Sequence, residues 1–498
     1  AVGRNALTAN TTGAENTAVG YQALAANTTA QQNTAVGRLA LLANTTGDLN
    51  TAMGSAALDA NTTGDNNTGI GAAALSSNTT ASDNTGVGKD ALLSNTTGTK
   101  NTSIGKDSLQ SNVAGDQNTA LGARTLQANT TASHNTAVGE AALYANTTSD
   151  NNTAVGSQTL ATQTDGGSEN TAVGSYVMNN NSTGDNNVGV GKDVLKVNTT
   201  ASNNTAVGHN AMAANTTGET NVAVGKNALD ANISGHYNTA VGYAALSTNT
   251  VDTHNTAVGH SALTTLNGGH SNVAIGNNAM GSATTAILNV AVGRDALDAL
   301  VDKHYNTAIG YNALTLCEDE RNVAVGYGAG GTTTTGGYNV FMGMDAIGSA
   351  NSNDYEIVIG YNTTGKGGQT GFINPTGGGV YQGNNSADWS TTSDERIKKN
   401  IVDNTRGLDA INQIRVRNFE YRTKDEIVDF DNPDAAVVEQ EGVKLGVIAQ
   451  ELEIPFPEMV KTETTGVKTV DQNDVTWYLV NAVKELSAEI NKLKEEQN

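Results

Sequence analysis

Asn33-Thr34-Ala35-Val36-Gly37-Arg38-Leu39-Ala40-Leu41-Leu42-Ala43-Asn44-Thr45-Thr46-Gly47-Asp48-Leu49 decides the fold, because Asn50-Thr51-Ala52-Met53-Gly54 begins the same phrase again. The anchor glycine recurs every 17 residues from Gly3 to Gly156. One step of 18 (Gly156 to Gly174) and one of 16 (Gly310 to Gly326) interrupt the count, and the register ends at Gly360 after 22 anchors. The consensus reads N-T-A-V-G-x-x-A-L-x-x-N-T-T-G-x-x. Self-similarity at a fixed period marks a repeat architecture, and 17 residues is too short for a helical hairpin. The period suits one coil of a β-solenoid, with two short strands and two turns. Asn and Gly tolerate the positive φ that tight turns need.

The Val position is always aliphatic or Met, as in Met53, Ile70, Leu121, Ile275 and Met342, and the residue before it is nearly always Ala or Gly. This alternation predicts a branched side chain packed inward and a small residue facing something close, such as another chain. With strands about 4.8 Å apart, the 22 coils predict a rod on the order of 100 Å long. Aromatic residues make up only 4% of the chain, so each coil buries little apolar area. Stacked Asn and Thr ladders add hydrogen bonds, and trimerisation would bury more. The predicted class is therefore mainly β: a parallel β-solenoid over residues 1–360, trimeric, then a Gly-rich neck over 361–392 and a small α+β domain over 393–498.

The N-T-A-V-G-x-x-A-L array resembles the head repeats of trimeric autotransporter adhesins, which form a left-handed parallel β-roll, and the repeat shafts of phage tail fibres. That resemblance covers roughly residues 1–360 and implies a homotrimer.

Charge separates the chain into two parts. The last 106 residues hold 36 of the 76 charged side chains and a net charge of −8, leaving −14 for the longer repeat region. An acidic array without a basic stripe neutralises phosphates poorly, which argues against a nucleic-acid partner; its acidity keeps a long polar rod soluble. Cys317 is the only cysteine, so no intrachain disulfide framework exists. It occupies the slot where most units place the Asn of Asn-Thr-Thr and reads as inert. No apolar run approaches the about 20 residues of a membrane span. The chain opens on Ala1-Val2-Gly3, the tail of an anchor, so an upstream part is expected.

Repeated sequons such as Asn10-Thr11-Thr12 and Asn44-Thr45-Thr46 read as turn and ladder formers rather than glycan acceptors. Histidines 134, 209, 236, 254, 260, 270 and 304 are scattered through the array and read as solvated turn residues. Asp48, Asp65 and Asp185 fall in variable turn slots where solvation is expected. Paired carboxylates for glycoside cleavage need a fixed separation of about 5–10 Å, so a depolymerase is disfavoured. No cofactor and no metal is called for.

At the junction stands Ser393-Asp394-Glu395-Arg396-Ile397-Lys398-Lys399-Asn400-Ile401. A serine hydroxyl is a weak nucleophile and needs a base; a lysine serves only if burial or a nearby cation leaves it neutral. The pattern S-D-x-R-x-K-x-N-I resembles the start of the intramolecular chaperone domain of phage tailspikes and fibres, the S74 peptidase family. Leu445-Gly446-Val447-Ile448-Ala449-Gln450-Glu451-Leu452, then Phe456-Pro457-Glu458-Met459-Val460, agrees with the family's second motif. The resemblance implies Ser393 as nucleophile and Lys398 as base, cutting the Thr392–Ser393 bond. Lys399 is the competing base, and Asp394, Arg396 and Asn400 are supporting residues.

A helix is expected over about 473–498. Its Leu479, Val483, Leu486, Ile490 and Leu493 follow a 4-3-4-3 spacing, a heptad seam that fits three strands. Together these features predict a phage or prophage fibre or spike that carries a host surface receptor or glycan site, does not insert in membranes, and ripens in the host cytoplasm. The chaperone would align three chains and then remove itself. The rivals are a cell-surface adhesin whose array binds a ligand, and a chaperone retained as an uncleaved trimerisation cap. A transcription-factor precursor, another setting of this domain, would need a basic DNA-binding module that the chain lacks.

Overall fold

The computed structural model describes residues 1–375, 380–383, 390–391, 395–423, 426–427, 438, 441–462, 467–472 and 474–497. The chain divides into two compact units, Ala1–Thr392 and Ser393–Asn498.

The first unit is a parallel β-solenoid. Three-residue strands at each anchor, from Thr17–Val19 to Val340–Met342, stack on one another, followed by Ile357–Gly360 and Thr370–Asn374. Pairing is parallel and in register throughout, for example Thr17↔Thr34, Ala18↔Ala35 and Val19↔Val36. The sheet runs one parallel strand past the last anchor, Ile357 pairing with Gly371. It then reverses through the antiparallel strands Val380–Gly383 and Ser390–Thr391.

Each repeat coil has one strand, not two. The Ala-Leu half forms a stacked turn whose N–H groups still reach the next coil, as in Leu41 N–H to Ala57 O at 3.0 Å. The leucine adopts a left-handed conformation (Leu41, φ 50°), a region that costs roughly 1–2 kcal/mol for an L-residue. Its side chain is fully buried, a gain of about 1.5–3 kcal/mol that offsets the strain.

The facing of the strand is the reverse of the sequence expectation. Ala35 is 0% exposed, whereas Val19, Met53 and Leu121 are 39%, 47% and 45% exposed. The coil is so narrow that the inward leucines fill most of it, and the inward strand position is nearly always Ala or Gly, with Ser103 and Val358 fully buried there as exceptions. The branched residues therefore stand outside with the threonines, forming a half-exposed aliphatic ridge. Two adjacent coils invert the sizes: Phe341 takes the alanine place of one, and Gly330 takes the leucine place of the one before, where a Cβ would lie 2.6 Å from Phe341 Cδ2.

Three polar ladders satisfy the turns. The anchor asparagines accept the next anchor's amide, as in Asn50 N–H to Asn33 Oδ1 at 2.8 Å, and donate to the turn carbonyl, as in Asn33 Nδ2 to Gly47 O at 2.9 Å. The Asn-Thr-Thr asparagines stack, Asn61 Nδ2 on Asn44 Oδ1 and Asn78 Nδ2 on Asn61 Oδ1, both at 2.9 Å. Asn44, Asn61 and Asn78 are fully buried, so these sequon amides face ladder partners, not solvent. The third ladder corrects the reading of the acidic turn slots. Asp48 Oδ1 accepts Gln31 N–H at 2.7 Å, Ser82 Oγ takes Asp65 N–H at 3.0 Å, and His236 Nδ1 takes Glu219 N–H at 2.9 Å. Anchor glycines are required where columns touch: at Gly37 (φ 140°) a Cβ would sit 2.3 Å from Gly54 O.

The second unit is small and mixed. It holds the helices α1 (Leu408–Ile411), α2 (Ala449–Leu452) and α3 (Val475–Glu496). Two antiparallel pairs accompany them: Arg417–Phe419 with Lys444–Gly446, and Val460–Thr462 with Lys468–Val470. Among the described residues, no helix is long and apolar enough to cross a membrane.

Candidate functional site

The junction opens the second unit. Thr392, Ser393 and Asp394, the expected cleavage pair and one supporting residue, lie outside the described residues. Glu395–Ile397 forms a single 3-10 turn, closed by Lys398 N–H to Glu395 O at 3.0 Å. Arg396, Lys398, Lys399 and Asn400 are all exposed in the single chain, and Asn400 turns the backbone with φ 56°. Ile397, Ile401 and Val402 are exposed as well. The segment thus presents both its charges and its apolar side chains outward.

The second motif builds the core. Leu452, Phe456, Met459 and Tyr478 form one buried cluster, with Ile411, Ile414, Val447 and Val475 packed against it. Pro457 starts the 3-10 turn Pro457–Met459 because its missing N–H costs nothing at a helix start. That turn sets Glu458 between Tyr478 and Arg406. Tyr478 Oη donates to Glu458 Oε1 at 2.9 Å, and Arg406 Nη1 reaches the same oxygen at 2.6 Å. The guanidinium also lies 4.6 Å from the Phe456 ring centroid and hydrogen-bonds Pro455 O.

Burial pushes the Glu458 carboxyl up, but its own backbone N–H, the Tyr478 hydroxyl and Arg406 together outweigh that and hold it below the usual range. A second ion pair fixes α2: Arg417 grips Glu451 through Nη2 at 2.6 Å and Nε at 3.1 Å. This side-chain bonding holds Glu451 below the ordinary carboxylate range and Arg417 above its own. On α3, Glu485 Oε2 accepts Leu408 N–H at 2.6 Å, and Asn481 Nδ2 donates to Asn404 O at 2.8 Å. One side of α3 is therefore docked, with Tyr478 and Ala482 buried. The seam residues Leu479, Val483, Leu486, Ile490 and Leu493 stand 44–64% exposed.

Residues 393–461 match the family model Peptidase_S74, described as the chaperone of endosialidase. The chain carries a C-terminal chaperone-of-endosialidase domain after a long β-solenoid. Such a domain implies an intramolecular chaperone for trimer assembly, with self-cleaving activity. No curated protein and no solved structure matches the chain.

Sequence reasoning quoted Glu458 and Glu451 only as motif letters and missed Arg406 and Arg417, which make them structural. Cys317 is fully buried, and burial pushes its thiol up to about 11, which keeps it unreactive. Glu356 was also missed. It takes the last anchor-asparagine slot, fully buried, and its two oxygens accept Gly367 N–H at 2.9 Å and Ser349 N–H at 3.2 Å.

Proposed function

We propose that residues 393–498 bring three copies of the chain together through the α3 seam, align their solenoids, and then cut themselves off between Thr392 and Ser393. The observation that carries this reading is the seam itself. Five aliphatic side chains at heptad spacing stand half exposed on a helix whose other side is already docked. A regular a/d stripe of this kind is stabilised by packing into the holes of partner helices.

In the proposed reaction Ser393 Oγ attacks the carbonyl carbon of Thr392 while Lys398 accepts the hydroxyl proton. The C–N bond breaks, the Ser393 amine takes a proton, and the Thr392 ester is hydrolysed by water. Two ends result: a Thr392 carboxylate and a free Ser393 amine. Lys398 is exposed in the single chain, and burial is what makes a lysine neutral enough to act as a base. Coupling cleavage to association follows, because the neighbouring copies supply that burial. Asp394, Arg396 and Asn400 hold the turn in the reading. Once the chaperone is gone the solenoids have no route back through their assembly template, so stability becomes kinetic.

The product is a trimeric β-rod, which we place on a viral particle as a fibre or spike shaft for host-surface attachment. Intact mass of purified wild-type protein beside Ser393→Ala and Lys398→Ala tests the reading. The wild type should split after Thr392 while both variants stay whole. A wild type that assembles but remains uncut would make the domain a permanent trimerisation cap and remove the peptidase.

A further inference from the structure

Two columns border the outward Thr and Val of every strand: the residue five before the anchor glycine and the residue just after it. Five coils place the same residue type in both columns: Lys100 and Lys106, Tyr237 and Tyr243, His254 and His260, Tyr305 and Tyr311, Tyr355 and Tyr361. Two more pair complementary types, Arg321 with Tyr327 and Tyr338 with Met344. All the tyrosines named are exposed.

Contacts within one chain do not explain this matching. Each column stacks along the rod, as in Tyr338 on Tyr355 (4.7 Å between centroids) and Tyr311 on Tyr327 (5.2 Å). Across a coil, however, the two members stand on opposite ends of the strand, as Tyr237 and Tyr243 do on either side of Thr239–Val241. They do not meet within their own chain.

We propose that this strand face seats a second copy of the chain, parallel and in register, so that one copy's residue before the strand meets the next copy's residue after it in the same coil. This rests on the assembly reading above and adds a surface and an orientation to it. Copies related by an axis along the rod bring opposite borders together at equal height. An antiparallel pair would set each border against itself, at unequal heights.

The half-exposed aliphatic ridge supplies the apolar middle of the contact. It repeats every coil, so it is indifferent to a slip by one unit; only the variable borders mark height. Charges give the same marking. The pair Asp83 and Lys89 would attract across copies. Lys100 and Lys106 form the one pair of like charge, with Lys106 lying 3.4 Å from its own Asp107.

The test is short-bismaleimide cross-linking of the full chain carrying Tyr305→Cys with Tyr311→Cys, where the native Cys317 is buried. Tyr305→Cys alone and the mismatched Tyr243→Cys with Tyr355→Cys serve as comparisons, and sedimentation gives the mass of each. We expect covalent multimers from the matched pair and neither from the comparisons. Multimers of unchanged mass that fail to cross-link at 305 and 311, or that link equally well through 305 alone, overturn this inference and leave assembly standing. A chain that sediments as a monomer overturns the assembly reading. Charge exchange gives an independent reading: Asp83→Lys should lower the denaturant midpoint of multimer dissociation, and adding Lys89→Asp should restore it. Absence of that rescue also contradicts the pairing.

Discussion

The two units solve the same problem in opposite ways. In the solenoid, backbone ladders and buried amides satisfy each coil from its neighbours, so stability is spread in one dimension and no coil is indispensable. In the C-terminal unit, a cluster of four buried side chains and the pairs Arg406–Glu458 and Arg417–Glu451 bind segments far apart in sequence. A rod whose units are nearly identical holds its own strands in place, yet only its variable border residues mark how one rod should sit beside another. A one-coil slip preserves the repeated aliphatic contacts and disturbs only the borders. The irregular unit, with its single seam, has no such degeneracy.

Breaking the small core should have the largest effect. Phe456→Ala removes the ring that packs on Tyr478 and lies under Arg406, a loss of about 3–5 kcal/mol. A unit with so few buried residues should lose its fold altogether, and near-ultraviolet circular dichroism should show this while the far-ultraviolet strand signal persists. The matching change in the solenoid stays local. Asn84→Ala strips partners from Asn101 N–H (3.0 Å) and Gly98 O (2.9 Å), costing roughly 1–3 kcal/mol for each buried group. Hydrogen exchange should speed up in the adjoining coils alone; collapse of protection along the whole array would contradict the one-dimensional picture.

Acid separates the units further. Glu451 and Glu458 are held below their usual range in the folded state. The unfolded chain therefore binds more protons, and the stability they contribute is present above the ordinary value of 4.5 and lost as pH falls through their depressed folded values. The solenoid carries shifts of both signs. Burial raises Asp59 and Asp230, whereas hydroxyl bonds lower Asp165 and the Lys196 contact lowers Asp193. Thermal melts between pH 6 and 3 should thus show the C-terminal transition falling while the solenoid transition moves little. The smallest effect belongs to the surface: Arg124→Ala deletes an exposed pair with Glu140, and should change stability by about 0–1 kcal/mol.

Periodicity made the solenoid legible. Seventeen-residue spacing and turn chemistry are local, and a parallel coil follows from them. Which side of Thr-Ala-Val faces inward was not, because it depends on the space the left-handed leucines leave. Phe341 and Gly330 show the same logic, each intelligible only beside the other. In the C-terminal unit, Leu452, Phe456 and Met459 were visible as a motif. Arg406 was not, because it meets Glu458 across 52 residues with no period to announce it. Ser393 was picked from its pattern together with the second motif, whereas the exposure of Lys398 and the open side of α3 needed a structure.

We propose that the irregular unit sets the assembly of the regular one. Sedimentation velocity of the full chain beside Leu486→Asp with Ile490→Asp tests it most directly, since both side chains are exposed in the single chain and outside its core. We predict three copies for the wild type and one for the variant, with the C-terminal unit still folded. A variant that assembles like the wild type would show that the solenoids find their partners without the seam, and that the irregular unit does not set the assembly.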